Sequence, residues 1–361
     1  MDRFERQYIL PGFGPASQQK LRKTSVLIIG AGGLGCPALL YLSAAGIGKI
    51  GIIDGDLVSL SNLNRQVLFG KEDLGKNKAE SAAEIIQKKY DDIEVEAIPY
   101  FLTKENILGI IQNYDLILDG SDNFPTRYLV NDACLIAGKP LVFGAIYQHE
   151  GQVAIFNAKG PHSINYRDLY PIPPSAREVP NCNEIGVLGV LPGIIGTWMA
   201  AECIKYLTGY GDSLEDKMLF YDLLNHNSYQ VQLAKNQDSN QSRPKNHSEL
   251  QEMDYQDFCG LSTQTDWEAA LSFLKNANQS VLVDVREHGE QPELDDVEHL
   301  QIPLADLPNS RSQLASFQNI LLFCQSGSRS LKAVDMLKSQ FPDKNIQSVE
   351  GGIIRYFGDL K

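Results

Sequence analysis

The chain has 361 residues, enough for two or three domains, and its 43% hydrophobic and 21% charged composition is that of an ordinary globular protein. Lys and Arg number 32 against 45 Asp and Glu, and the resulting formal charge of -13 argues against a broad nucleic-acid-binding face. The six cysteines (36, 134, 182, 203, 259 and 324) are scattered with no C-x-x-C among them, which excludes a disulfide scaffold or zinc ribbon. No stretch reaches the ~20 unbroken apolar residues of a membrane helix. The opening MDRFERQYIL lacks the apolar core and cleavage site of a signal peptide. The expectation is a cytoplasmic protein without membrane or nucleic-acid partners.

In chain order, SVLIIG (25–30) and KIGIID (49–54) are β-rich runs separated by an Ala/Leu-rich helical segment, a βαβ unit. DLILDG (115–120) and KPLVFGAI (139–146) continue the alternation, and GQVAIFN (151–157) reads as a later, antiparallel strand. Residues 235–250, KNQDSNQSRPKNHSEL, have little to bury and read as a linker between a domain over 1–234 and another over 251–361. Beyond it, SVLVDVRE (280–287), NILLFCQ (319–325) and a helix over about 328–339 form a second, smaller α/β unit.

GAGGLG, with Gly30, Gly32, Gly33 and Gly35, gives a G-x-G-x-x-G between the first strand and the helix after it. Such a turn lets phosphate approach the free N–H groups of a helix N-terminus. Asp54, ending the next strand, stands where a carboxylate accepts from ribose hydroxyls. Alone, this motif means adenine nucleotide and favours NAD slightly over ATP. SNLNRQ (61–66) adds Asn62, Arg65 and Gln66, GKNKAE (75–80) adds Lys78, and the N-terminal stretch adds Arg3 and Arg6. A triphosphate needs more cation than the NAD diphosphate, so these residues favour ATP. LDGSDNFPTR (118–127) places Asp119 and Asp122 where a strand meets a helix; a carboxylate there either holds Mg²⁺ against phosphate or caps the helix.

Together RQYILPGFG, GAGGLGCPAL, DGDLVSLSNLNRQ, GKNKAE and DGSDNFPTRYLVND resemble the adenylyltransferases related to ubiquitin-activating enzyme, from about Arg3 to Gln232. The most similar members activate the sulfur carriers of molybdopterin and thiamine synthesis. The resemblance implies a Rossmann-like doubly wound domain with an antiparallel extension. It implies ATP and Mg²⁺ as cofactors, and adenylation of the C-terminal glycine of a ubiquitin-like carrier ending in Gly-Gly. It puts Asp54 on ribose, Asn62, Arg65 and Lys78 on the phosphates, and Asp122 at the metal. It implies a homodimer in which Arg6 reaches the partner's ATP site. Adenylation is charge neutralisation and positioning, so none of the six histidines is given a catalytic role. Many relatives bind zinc through two C-x-x-C pairs. Here Asn165 and Asp168 stand where the first pair would be, and no structural zinc is expected.

Cys182, in the polar stretch PNCNE ahead of an apolar helix, matches a relative's cysteine that bonds covalently to the carrier. Cys36, Cys134 and Cys203 sit in apolar helical patterns and read as core, and Cys259 as structural. FCQSGSRS (323–330) is different. Cys324 and Arg329 enclose four residues, a tighter ring than the five of a cysteine phosphatase, and suited to a persulfide held by N–H groups and a guanidinium. With VLVDVRE and VEGGIIRYF around it, the segment resembles the rhodanese sulfurtransferases, a small α/β fold. The joined resemblance implies sulfur transfer from a Cys324 persulfide to the carrier adenylate, leaving a thiocarboxylate. The sulfur donor is thiosulfate or a cysteine desulfurase. The alternatives are an NAD-dependent oxidoreductase with a fused redox domain, and an adenylyltransferase whose inactive rhodanese domain is a docking scaffold.

Overall fold

Two runs rich in β-branched residues, Ser25–Ile29 (β1) and Lys49–Ile53 (β2), lie parallel with Ser25 opposite Lys49. Both are buried over their last four residues, as strands covered on two faces must be. Glu94–Ile98 (β3) pairs with β2, and Leu116–Asp119 (β4) lies on the other side of β1. Leu141–Tyr147 (β5) completes the parallel part. Glu150–Phe156 (β6), Lys217–Asp222 (β7) and Ser228–Gln232 (β8) then add an antiparallel extension, giving eight strands in the order β3-β2-β1-β4-β5-β6-β7-β8.

This computed structural model describes residues 3–160, 163–173, 186–236, 243–259, 263–276, 279–341 and 344–359. They divide into two units, the first running to Tyr255 and the second starting at Gln256. In the first, the helix Gly35–Ala45 is apolar nearly all round and ends on the left-handed Gly46. The 19-residue helix Val190–Thr208 lies against it so closely that a Cβ on Gly196 would come within 2.2 Å of the Leu34 carbonyl. Among the described residues no helix is long and apolar enough to cross a membrane.

The second unit is a parallel five-stranded sheet in the order β11-β10-β12-β13-β9, built from Gln264–Thr265 (β9), Ser280–Asp284 (β10), Leu300–Gln301 (β11), Asn319–Phe323 (β12) and Asn345–Val349 (β13). The amphipathic helix Ser328–Gln340 follows β12 and buries Ala333, Val334 and Leu337.

The strand readings agree with this architecture to within one or two residues at most ends, and the antiparallel turn of β6 is present. Of the stretch 235–250 read as linker, residues 237–242 lie outside the described residues, and its last residues belong to a helix. Residues His247–Glu252 form a helix capped by Asn246, with Leu250 fully buried, and Tyr255 beyond it donates to Asp132 at 2.9 Å. One leucine and one tyrosine outweigh the polar composition around them.

Candidate active sites

The strand order decides where the first site lies. β2 and β3 run to one side of β1 while β4 and β5 run to the other, so the loops leaving β1 and β4 diverge and open a crevice at their carboxyl ends. Gly30, at φ +86°, makes the turn, and Gly120 approaches it so closely that a Cβ on Gly30 would meet the Gly120 carbonyl at 3.1 Å. Gly35 serves another end: a Cβ there would sit 1.9 Å from the Gly30 carbonyl, so its absence lets the helix close onto the strand.

Gly30, Gly32, Gly33, Asp54, Arg65, Lys78 and Asp122 all line this pocket. Asp54 accepts from the Ala31 N–H and the Asp56 N–H, each at 2.8 Å, and so ties the glycine turn to the end of β2. Burial pushes its carboxyl upward, against those hydrogen bonds and the charge of Lys78. Lys78 opens the helix Lys78–Lys89, is 5% exposed, and pairs with the Asp56 carboxylate at 2.8 Å. Arg65 is held by the Ser61 carbonyl and the Asn64 side chain, both at 3.1 Å. The two readings of Asp122 separate here. Asn123, not Asp122, caps the helix Phe124–Ala137 by accepting from the Thr126 N–H at 3.0 Å, which leaves Asp122 exposed in the pocket.

Three of the expected binding residues do not line this pocket. Gly35 lies behind it, Arg6 is exposed in the short helix Glu5–Tyr8, and Asn62 accepts from the Ser59 N–H at 3.2 Å in a local cap. Sequence reasoning gave no role to Arg127, which is buried, directs Nη2 to the Ser121 carbonyl at 3.4 Å and lines the pocket. It stands five residues beyond Asp122 in the same motif, and its burial was invisible without the helix around it. Gln66 is buried in the pocket wall with its Oε1 lacking a hydrogen-bond partner among the described residues.

The second site forms where β12 meets its helix. Gly327, at φ +99°, is the cap residue of the helix Ser328–Gln340 and brings its own N–H to 3.1 Å from the Cys324 sulfur. The Ser330 hydroxyl lies 3.5 Å from the same sulfur and 2.7 Å from the Ser348 hydroxyl on β13. Burial pushes the thiol up. The Ser330 hydroxyl and the N–H groups of Ser330, Ser326 and Gly327 oppose it, and the net direction is below the ordinary thiol range. Gly352 makes the loop possible from behind: a Cβ on it would meet the Cys324 carbonyl at 2.3 Å, and the Ile353 N–H binds that carbonyl at 2.8 Å. Arg329 ends the loop as expected, but its guanidinium hydrogen-bonds Glu290 rather than the sulfur.

The remaining cysteines separate cleanly. Cys36, Cys134 and Cys203 are fully buried, and burial pushes all three thiols up, Cys36 to about 12. Cys259 is buried as well, and Cys182 lies outside the described residues. Where zinc-binding relatives carry their first cysteine pair, Asn165 and Asp168 cap the helix Tyr166–Leu169 by bonding each other at 2.7 Å. Beside them Arg167 and Asp132 form a fully buried ion pair at 2.7 Å. These donors are committed to one another and supply no thiolate, so they do not fit tetrahedral zinc.

Three comparisons bear on these sites. The model of the ThiF family matches residues 4–243. The chain is 40% identical over 373 residues to "Probable adenylyltransferase/sulfurtransferase MoeZ" of Mycobacterium tuberculosis, covering 98% of this chain and 92% of the relative. It is 47% identical over 264 residues to "Sulfur carrier protein adenylyltransferase" of Thermus thermophilus, covering 72% and 97%. Among solved structures, E. coli MccB with ATP aligns with a TM-score of 0.54 at 23% identity, over 62% of this chain and 67% of that one, a likeness of fold.

Proposed function

From the premise that this chain belongs to the ThiF family, we propose that its first site adenylates the C-terminal glycine of a ubiquitin-like sulfur carrier and its second supplies the sulfur that replaces AMP. That it is both an adenylyltransferase and a sulfurtransferase rests on its likeness to MoeZ across nearly the whole of both chains. The observation that carries the first half is the gathering of a glycine turn, Arg65, Lys78, Arg127 and an exposed Asp122 in one crevice at the switch point of the sheet.

In the first reaction the carrier's carboxylate attacks the α-phosphorus of ATP and pyrophosphate leaves. Both partners are anionic, so the work of the site is to offset charge and hold the groups in line. Asp54 is assigned to the ribose hydroxyls, the N–H groups from Gly30 to Gly33 to phosphate, and Arg65, Lys78 and Arg127 to the phosphate oxygens. Lys78 then exchanges Asp56 for phosphate. Asp122 fits a bound Mg²⁺, which supplies further charge on the phosphate oxygens. Arg6, exposed and away from its own pocket, is assigned to the site of a second copy in a homodimer.

In the second reaction the Cys324 persulfide attacks the acyl carbon and AMP leaves, giving an acyl disulfide. Attack by the Cys182 thiolate on the Cys324 sulfur releases the carrier thiocarboxylate and leaves a Cys182–Cys324 disulfide, which an external thiol reduces. Carrying both thiols and the adenylation site on one chain makes each step intramolecular.

The test is exchange of labelled pyrophosphate into ATP by the full chain with a small ubiquitin-like protein ending in Gly-Gly. Exchange that requires the carrier's intact C-terminus, and falls on the order of 10²–10³-fold in Arg65→Ala, is the expected result. Exchange indifferent to the carrier, or reduction of NAD⁺ in its place, overturns the proposal.

A further inference from the structure

Both arginines that serve the Cys324 loop are already neutralised by carboxylates. Arg286 directs Nη2 and Nε to Asp284 at 2.7 and 3.0 Å, and Nη1 to the Pro292 carbonyl at 2.9 Å and the Gln325 side chain at 3.3 Å. Arg329 presents Nη1 and Nη2 to the two oxygens of Glu290 at 2.5 and 2.7 Å, a two-pronged pair. The hydrogen bond from Arg329 holds the Glu290 carboxyl down to about 2, so the pair stays ionised across the neutral range. The groove alongside is lined by Asp284, Glu287, Glu290, Glu293 and Asp295, with Arg286 as the opposing charge.

This arrangement bears on which molecule delivers the sulfur. Thiosulfate is a dianion, and when a thiolate takes its outer sulfur the departing sulfite is a dianion too. The loop offers its N–H and hydroxyl donors to one sulfur anion at Cys324, and among the described residues it has no uncommitted guanidinium for a sulfonate beside it. Five carboxylates in the adjoining groove add repulsion. An alkyl persulfide carries at most one negative charge, and its protonated form R–S–SH none. The Cys324 thiolate attacks its outer sulfur and the R–S to SH bond breaks. Cys324–S–SH forms with the proton on the transferred sulfur, and R–S⁻ departs. The Cys324 sulfur is oxidised and the departing thiol reduced by the same electron pair.

We infer that Glu290 is a specificity-determining residue, which by holding Arg329 withholds positive charge from dianionic donors and selects a thiol persulfide as the sulfur source. This rests on the sulfurtransferase reading of the Cys324 loop and names the substrate class it takes. Glu290 acts through Arg329 and touches neither the sulfur nor the carrier.

The experiment uses the full chain, with thiosulfate and 2-hydroxyethyl persulfide as donors. It reads the mass gain of one sulfur atom at Cys324 and kcat/KM with cyanide as acceptor. Glu290→Gln should raise kcat/KM for thiosulfate by about tenfold while leaving the persulfide rate within about twofold. The gain should vanish in the Glu290→Gln, Arg329→Ala double variant. No change with thiosulfate, an equal gain with both donors, or a gain that survives loss of Arg329 overturns the inference. A second measurement needs no variant: excess sulfate should leave sulfur uptake from the alkyl persulfide unaltered, and competition by sulfate would also overturn it. If Cys324 in the unaltered chain gains sulfur from neither donor, the sulfurtransferase reading falls and takes the inference with it; uptake with no effect of Glu290 removes the inference alone.

Discussion

The crevice at the ends of β1 and β4 and the loop at the end of β12 are built on one plan and handle charge in opposite ways. Each is a glycine turn between a parallel strand and a helix N-terminus, where unpaired N–H groups attract an anion. In the first, a buried carboxylate braces the turn, and Arg65, Arg127 and Lys78, the last paired with Asp56, line the open space. In the second, Cys324 itself carries the anion, weak donors settle on it, and both arginines are turned onto carboxylates. The difference teaches that the strand–glycine–helix unit says only that an anion is bound. What sets the two sites apart among the described residues is the pairing of their cations: Lys78 alone of three is held by a carboxylate in the first, and both arginines are in the second.

Separate sites should fail separately, and that is the sharpest way to break the comparison. Cys324→Ala should abolish sulfur transfer to cyanide or to the carrier while pyrophosphate exchange continues. Asp122→Ala should lower exchange on the order of 10²–10³-fold, and transfer to the carrier with it, and leave sulfur transfer to cyanide untouched. If either variant loses both pyrophosphate exchange and transfer to cyanide, the sites are not independent.

The two glycines of close approach offer a structural version of the same contrast. Gly35→Ala drives a Cβ into the Gly30 carbonyl and Gly352→Ala drives one into the Cys324 carbonyl, in each case against backbone that cannot give way cheaply. Each should cost its own unit about 2–3 kcal/mol, measured by denaturant unfolding, with loss of only the activity that unit carries. Loss of stability without loss of the matching activity would show that the close approach is not needed for the site.

The smallest effect concerns the thiols. Hydrogen bonds to its sulfur bring Cys324 below the ordinary thiol range against its burial, while burial takes Cys36 to about 12. The thiolate is the reactive form and its fraction rises with pH. Cys324 should therefore be alkylated at a lower pH than a free cysteine, with Cys36 silent in the folded protein. Ser330→Ala removes the hydroxyl donor and should move the Cys324 profile toward higher pH. An unmoved profile would leave the N–H groups alone responsible.

Much of this was legible in the chain itself, for a reason that differs by element. β1, β2, β4 and β5 are buried on both faces, so burial demands unbroken apolar runs, and those stand out. β3 was missed because it is an edge strand: Glu94 and Glu96 interrupt the pattern and pair with Lys49 of β2, both at 2.9 Å. Among the expected site residues, Asp54 and Cys324 stand at strand ends where short spacings put them, and Arg65 and Lys78, which the family resemblance implied, line the same pocket as Asp54. Asn62 and Arg329 were found in place but otherwise engaged, one capping its own turn and the other held by Glu290.

By itself the sequence determined the buried strands β1, β2, β4, β5, β6, β10 and β12, the two glycine turns and the chemical types of the reacting groups, since all of these depend on neighbours within a few residues. Tertiary structure alone decided that Arg127 reaches the pocket, that Leu250 anchors a stretch of polar composition, and that Glu290 holds Arg329 from 39 residues away. Those outcomes turn on competition among groups far apart in the chain for the same hydrogen bond, charge or buried volume, and only folding brings the competitors together.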